Sequence, residues 1–164
     1  GVWCLPDQAH LAIEALGRRC GRAPAASPWT VELPHGLPSS LELALRRLIA
    51  SSDGTAPPPR NITLLAERTR LDRSNLSRQA KRHGIDLAST CEYAFLRWLL
   101  LQRPPRTPHE ASALSRRAGF QSTDGLRQGA KRVTGRPLGR VETLAVEYVE
   151  ARLGDLVRGG RLPE

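Results

Sequence analysis

Two basic clusters carry the chemistry most open to this chain: Arg78-Gln79-Ala80-Lys81-Arg82 and Arg127-Gln128-Gly129-Ala130-Lys131-Arg132, whose lysines stand 50 residues apart. An arginine guanidinium is a planar fork that pairs with two acceptors at once, on a phosphate or on the O6 and N7 of guanine. Asparagine matches adenine in the same way, and a lysine ammonium serves phosphate as a point charge. Recognition of this kind makes and breaks no bond. The patterns that do are missing: there is no Ser/His/Asp set, no phosphate loop and no pair of carboxylates at a working spacing. His10, His35, His83 and His109 are isolated and read as surface residues. Cys4, Cys20 and Cys91 form no CxxC and no Cys/His cluster, which argues against a zinc site or a disulfide framework. They read as small buried residues in a reducing cytoplasm. An enzyme is not expected, and neither a metal nor a cofactor is implied.

The charge pattern points the same way. The chain of 164 residues carries a net charge of +9, and all but Lys81 and Lys131 of its 25 basic side chains are arginine. A GC-rich genome alone could give the arginine bias, but it would spread arginine evenly. Residues 60 to 140 hold 17 basic and 6 acidic side chains, a net of +11, while the remainder holds 8 basic and 10 acidic, a net of −2. A basic middle between near-neutral ends suits phosphates, with nucleic acid ahead of a membrane surface as partner. No stretch is apolar enough to span a bilayer, and Gly1 to Leu5 lacks the basic start and apolar run of a secretory leader. The chain has no Met, so Gly1 is expected to be a cut point in something longer.

Helices must position these clusters, because apolar residues recur at helical spacing and nothing reads as a strand-rich core. The expected class is all-α, with Trp29 to Leu33 the one candidate strand. Asp7 can cap a first helix with Ala9, Ala12, Ile13, Leu16 and Cys20 on one face and Gly21 as its stop. Residues 22 to 38 read as a linker. Ser39 and Glu42 have capping-box spacing, opening a helix with Leu41, Ala44, Leu45, Leu48 and Ile49 on one side. Pro57-Pro58-Pro59 cannot be helical, so the main boundary is expected there, with 1–59 an N-terminal appendage and linker. Beyond it the reading places helices over Leu64 to Thr69, from Asp72 to about His83, over Cys91 to Gln102, from Thr107 to about Ala118, and on to about Val133. Thr107, Pro108 and Glu110 supply cap, first-turn proline and capping-box acid in order. A last amphipathic helix is expected from Val141 to Val157, with Val141, Ala145, Val149, Leu153 and Leu156 along one side, in a C-terminal unit 142–164.

Each basic cluster lies in the second helix of a repeated unit. Leu65, Leu71 and Leu76 can pack one helix pair, and Leu114, Phe120 and Leu126 the other, with Gly119 giving the second turn a positive φ. A short helix, a tight turn and a second helix with a basic face is the helix-turn-helix layout. The start of each second helix could then enter a major groove, leaving Lys81, Arg82, Lys131 and Arg132 for phosphates.

From about Ile62 to Val141 the chain resembles the DNA-binding domain of the AraC/XylS family of bacterial transcription regulators. The resemblance is carried by Ala118-Gly119-Phe120-Gln121-Ser122, followed by Lys131-Arg132-Val133-Thr134-Gly135-Arg136-Pro137. It implies two helix-turn-helix units of homeodomain-like type over 60–141, joined by a linker helix at Glu92 to Leu101, each reading one of two successive major-groove faces. It implies base-reading roles for Ser74, Asn75, Ser77 and Arg78 in the first unit and for Thr123, Asp124, Arg127 and Gln128 in the second. Arg73, Lys81, Arg82, Ser122, Lys131 and Arg132 fall to phosphate. It further implies promoter DNA as partner, RNA polymerase as another, a cytoplasmic, nucleoid-associated place, and no cofactor. Apart from the resemblance, the N-terminal segment or the last helix, which carries Glu142, Glu147, Glu150 and Asp155, could pair with a second copy of the chain.

Three departures from the family pattern bear on the site. Ala80 and Ala130 stand where the family has Phe, which leaves space unless Phe95, Trp98 or flanking helices fill it. Gly125 and Gly129 lie inside the second recognition helix, where each costs about 1 kcal/mol against Ala, so fraying is expected there. Asp124 would repel phosphate unless it accepts from a cytosine amine. Two other readings remain open. The helix pairs could serve as a protein-interaction adaptor. Alternatively, Val2-Trp3-Cys4-Leu5-Pro6 and the helix after it could be the end of a receiver domain, making the chain the output part of an atypical response regulator.

Overall fold

Side-chain caps decide where most of the helices begin. The computed structural model describes residues 31–53, 56–102, 105, 107–134 and 146–159, and all of the regular structure among them is helical. The seven helices are α1 (Ser39–Ser51), α2 (Ile62–Thr69), α3 (Arg73–Arg82), α4 (Leu87–Leu101), α5 (Pro108–Arg117), α6 (Thr123–Thr134) and α7 (Val146–Val157). Asn61, Asp72 and Asp86 each accept a hydrogen bond from the backbone N–H three residues on, and so open α2, α3 and α4. Thr107 and Glu110 form the expected capping box at the start of α5, with Pro108 in its first turn.

Several expectations are corrected. The Ser39–Glu42 capping box does not form: Pro38 takes the cap position, and its carbonyl accepts from the Glu42 N–H at 2.9 Å. The linker helix begins at Leu87 rather than Cys91, because Asp86 caps it. Val31 to Leu33 form no strand. The helix expected from Asp7 to Gly21 lies outside the described residues, as do Gly135 to Pro137, Val141 and Ala145.

α4 runs through both cores, with α7 packed along it and α1, α2 and α6 against it. Its first half joins a core in which α1 contributes Leu41, Ala44, Leu45 and Leu48, α2 Leu65 and Ala66, α3 Leu76 and Ala80, and α7 Leu153 and Val157. Its second half, with Phe95, Leu96, Trp98, Leu99 and Leu100, joins a second core with Ala118, Leu126 and Ala130 of the α5–α6 pair and Val149 of α7. α7 thus closes both cores, through Val149, Leu153 and Val157, and of the side expected of it Val149, Leu153 and Leu156 are buried. The boundary expected at the proline run does not divide this packing. Leu41, Leu45 and Leu48 are fully buried, each a contribution of about 1.5–3 kcal/mol, and Pro58 and Pro59 are buried as well. α1 therefore packs as part of the body from which that boundary would separate it.

One charge lies inside this body. Arg97, 2% exposed, sits in the apolar run of α4. Its Nη1 donates to Asp53 Oδ1 at 2.6 Å and to the Ser52 carbonyl at 2.9 Å, and its Nε donates to Glu150 Oε1 at 2.9 Å. A guanidinium is tolerated there because its donors meet charged and carbonyl acceptors from the end of α1 and from α7. Nearby Cys91 is a buried thiol whose pKa is pushed up to about 12, chiefly by burial and then by the Glu92 and Asp86 carboxylates. It is chemically quiet.

Candidate nucleic-acid interface

The first helix pair is built from α2 and α3. Thr69 closes α2 with its hydroxyl donating to the Leu65 carbonyl at 2.7 Å. Arg70 then turns the chain in the left-handed region, at φ 56°. Asp72 caps α3 by accepting from the Asn75 N–H at 2.6 Å. Because α3 buries Leu76 and Ala80, the rest of the helix faces outward: Arg73, Ser74, Asn75, Arg78, Lys81 and Arg82 are exposed and Ser77 is half-buried. The first-unit candidates thus share one exposed helix. A brace from α1 reaches it, with the Ser40 hydroxyl donating to Gln79 Oε1 at 2.8 Å. Gln79 Nε2 in turn donates to Asn75 Oδ1 at 3.4 Å, a long bond that an adenine edge can displace.

The second pair, α5 and α6, repeats the turn with one residue more. Arg70 N–H and Leu71 N–H donate to the carbonyls of Glu67 and Ala66, and Gly119 N–H and Phe120 N–H donate to those of Arg116 and Ser115. Those bonds recur 49 residues on, whereas the capping residues Asp72 and Ser122 stand 50 apart. The Ser115 hydroxyl braces the longer turn, donating to the Ser122 carbonyl at 2.6 Å. Counted from the caps, Leu126 and Ala130 match Leu76 and Ala80, but Arg127 matches Ser77, and Gln128 matches Arg78. The sequence echo of Arg78-Gln79 with Arg127-Gln128 is therefore one position out of step on the helices. One position is about 100° around a helix, so the two arginines point differently.

α6 presents Asp124, Arg127, Gln128, Lys131 and Arg132 to solvent, with Thr123 half-buried. Ser122, expected at phosphate, uses its Oγ to accept from the Gly125 N–H at 3.1 Å, leaving its hydroxyl proton to donate. Two of the candidate readers pair with each other: Arg127 Nη1 lies 3.1 Å from Asp124 Oδ1. Arg132 Nε lies 3.5 Å from Glu92 of α4. Both arginines are largely exposed, so each pair is worth about 0–1 kcal/mol and yields readily to a phosphate or a base edge.

The glycines do not fray α6, which is continuous from Thr123 to Thr134. They seat a ring. A Cβ at Gly129 would stand 2.9 Å from Phe120 Cζ, and one at Gly125 3.3 Å from Phe120 Cδ1. The helix interior loses propensity and gains an aromatic anchor. Phe120 also meets Phe95 of α4 edge-on at 5.9 Å. Ala130 lies in the core with Phe95, Trp98 and Leu126. Beside Ala80 the space stays open, in a solvent-facing pocket of about 400 Å³ lined by Ile62, Lys81, Ile85 and Leu87 among others.

Sequence reasoning missed three contributors. Ser40 braces α3. Arg97 ties α4 to α1 and α7, and its signal was a lone charge in an apolar helix. Arg60 caps the outer face of Phe120, its guanidinium 4.1 Å from the ring centre, while its Nη1 donates to the Gly119 carbonyl at 3.2 Å. His35, His83 and His109 are exposed, His83 as the C-cap residue of α3, and Cys91 is buried.

No protein-family model matches the chain, and no curated protein or solved structure matches it. The site therefore rests on its own residues. Among the described residues, no helix is long and apolar enough to cross a membrane.

Proposed function

We propose that this chain is a sequence-specific DNA-binding transcription regulator of the AraC/XylS type, with α3 and α6 as its reading helices. One observation carries the reading. Two helix pairs bury the same Leu and Ala positions of their second helices, and both of those helices turn a Lys-Arg pair outward one turn beyond an arginine, with Ser74 and Asn75 ahead of it in α3 and Thr123 and Asp124 in α6. Shape-driven packing would need the buried residues but not the outward basic array, and the array suits a polyanion. Arg78 and Arg127 are assigned to guanine edges, Asn75 to adenine, and Asp124 to a cytosine amine. Lys81, Arg82, Lys131 and Arg132 hold phosphates and set register. α4, about 22 Å long at 1.5 Å per residue, spaces the two readers. RNA polymerase or a second copy of the chain would meet surfaces other than α3 and α6. The proposed role is binding, without catalysis.

The test is Arg78→Ala against the best duplex. Loss of a bidentate guanine contact should cost about 1–3 kcal/mol and relax preference at one base position. Lys81→Ala should weaken all sequences alike and reduce the salt slope by about 1. If Arg78→Ala leaves DNA affinity unmoved, the helix pairs serve a protein partner and the reading fails.

A further inference from the structure

We propose that Arg60 is a positioning residue that fixes the distance between the two reading helices, so that the protein accepts one spacing between its two half-sites. The inference rests on the DNA reading above and adds a specificity determinant to it.

α6 packs on α4 and α3 on α1 and α2, and α4 with α7 runs through both cores, so each reading helix is held to the other through intervening elements that can bend. A further connection, between the chain just ahead of α2 and the turn just ahead of α6, restricts that freedom. Arg60 supplies it. Its backbone adjoins Asn61, whose side chain accepts from the Leu64 N–H at 2.9 Å and starts α2, the partner of α3. Its guanidinium reaches across to the other unit. There it stacks 4.1 Å from the centre of the Phe120 ring and bonds the Gly119 carbonyl in the turn before α6. Both ends are held by packing. Phe120 is seated on Gly125 and Gly129 of α6 and against Phe95 of α4. On the other side, Arg68 of α2 donates to the Pro57 carbonyl at 2.6 Å, and the buried Pro58 and Pro59 hold φ near −65° up to Arg60. The proline run is a strut fastened to α2 with Arg60 as its tip.

On DNA, one base pair of extra spacing turns one half-site by about 34° and moves it about 3.4 Å, which a rigid pair of readers cannot follow. The experiment uses the whole 164-residue chain and duplexes bearing its two selected motifs at the preferred spacing, at one base pair more and at one fewer. Wild type should disfavour the altered spacings by about tenfold or more, the scale of one mismatched base pair. Arg60→Ala should reduce that discrimination to about threefold or less, while binding to a single half-site, and its salt slope, stay as in wild type. Arg60→Met keeps an apolar stem over the ring and should broaden spacing in the same way, which covers a folding defect in the alanine variant. Unchanged spacing discrimination in both variants overturns the inference. So does a fall of about 1 in the single-site salt slope without broadening, which would make Arg60 a phosphate contact. If wild type selects no motif pair at all, the DNA reading itself fails, a result distinct from either.

Discussion

Replacing Arg97 by alanine probes the centre of the fold. The substitution removes a guanidinium that is 2% exposed and strips donors from Asp53, Glu150 and the Ser52 carbonyl at once. Breaking a buried ion pair on one side costs about 3–5 kcal/mol when the surviving charge stays dry. Here the survivors differ. The Asp53 side chain is 47% exposed and regains water, whereas Glu150 at 20% is largely enclosed and Ser52 is fully buried. The expected loss therefore sits at the low end, about 3 kcal/mol, one stranded carboxylate and one stranded carbonyl together. For a chain of this size that is a fall of about 6–12 °C in Tm. Arg97→Met fills the volume and leaves the same acceptors unpaired, so it should recover less than half of the loss. Glu150→Gln, measured alone and with Arg97→Ala, should show a coupling of about 1–2 kcal/mol. Urea denaturation followed by circular dichroism reads all four. A loss below about 1 kcal/mol for Arg97→Ala would refute the claim that this residue ties α1 and α7 to α4.

Three further substitutions follow from the geometry. Gly129→Ala should destabilise by about 1 kcal/mol despite a propensity gain of similar size, because its Cβ meets Phe120 at 2.9 Å; a higher Tm than wild type would contradict the ring-seat account. Arg70→Gly should stabilise by about 0.5–1 kcal/mol, since φ 56° strains a side chain; a thermal melt reading no gain would show the turn to be relaxed with arginine. Cys91 should resist a thiol reagent in the native state and react on unfolding, and equal rates would contradict its burial. Its thiol pKa is raised from 9.0 to about 12 in the folded chain. Stability tied to it is therefore complete below pH 9.0 and lost as pH rises through that interval. Wild type should lose stability faster than Cys91→Ala between those values, and parallel curves would contradict the burial effect.

Much of the frame was legible because local chemistry and packing agree. Asp72, Thr107 and Gly119 do what their residue types favour, so α3, α5 and the second turn stood close to where expected. Leu76 with Ala80, and Leu126 with Ala130, marked the buried sides and so fixed which residues face outward. Other features depended on long-range partners that spacing cannot reveal. Ser39 and Glu42 have the right separation for a box, but Pro38 took the cap and Ser40 turned to Gln79. Leu87 to Thr90 look weak as helix until Asp86 caps them. Gly125 and Gly129 read as defects locally and become a seat only when Phe120 folds over them. The added residue in the second turn also escaped notice, because Arg-Gln occurs in both clusters and suggests a register that the caps do not share.

The central claim is that α3 and α6 read DNA sequence together. Selection of bound duplexes from a random pool, at near-physiological salt, tests it most directly. The account predicts enrichment of two short, unlike motifs about 10 bp apart centre to centre, as two readers on successive turns of the groove require. A pool that enriches no motif, with binding that collapses as salt rises, would contradict it and leave only a basic surface attracted to charge.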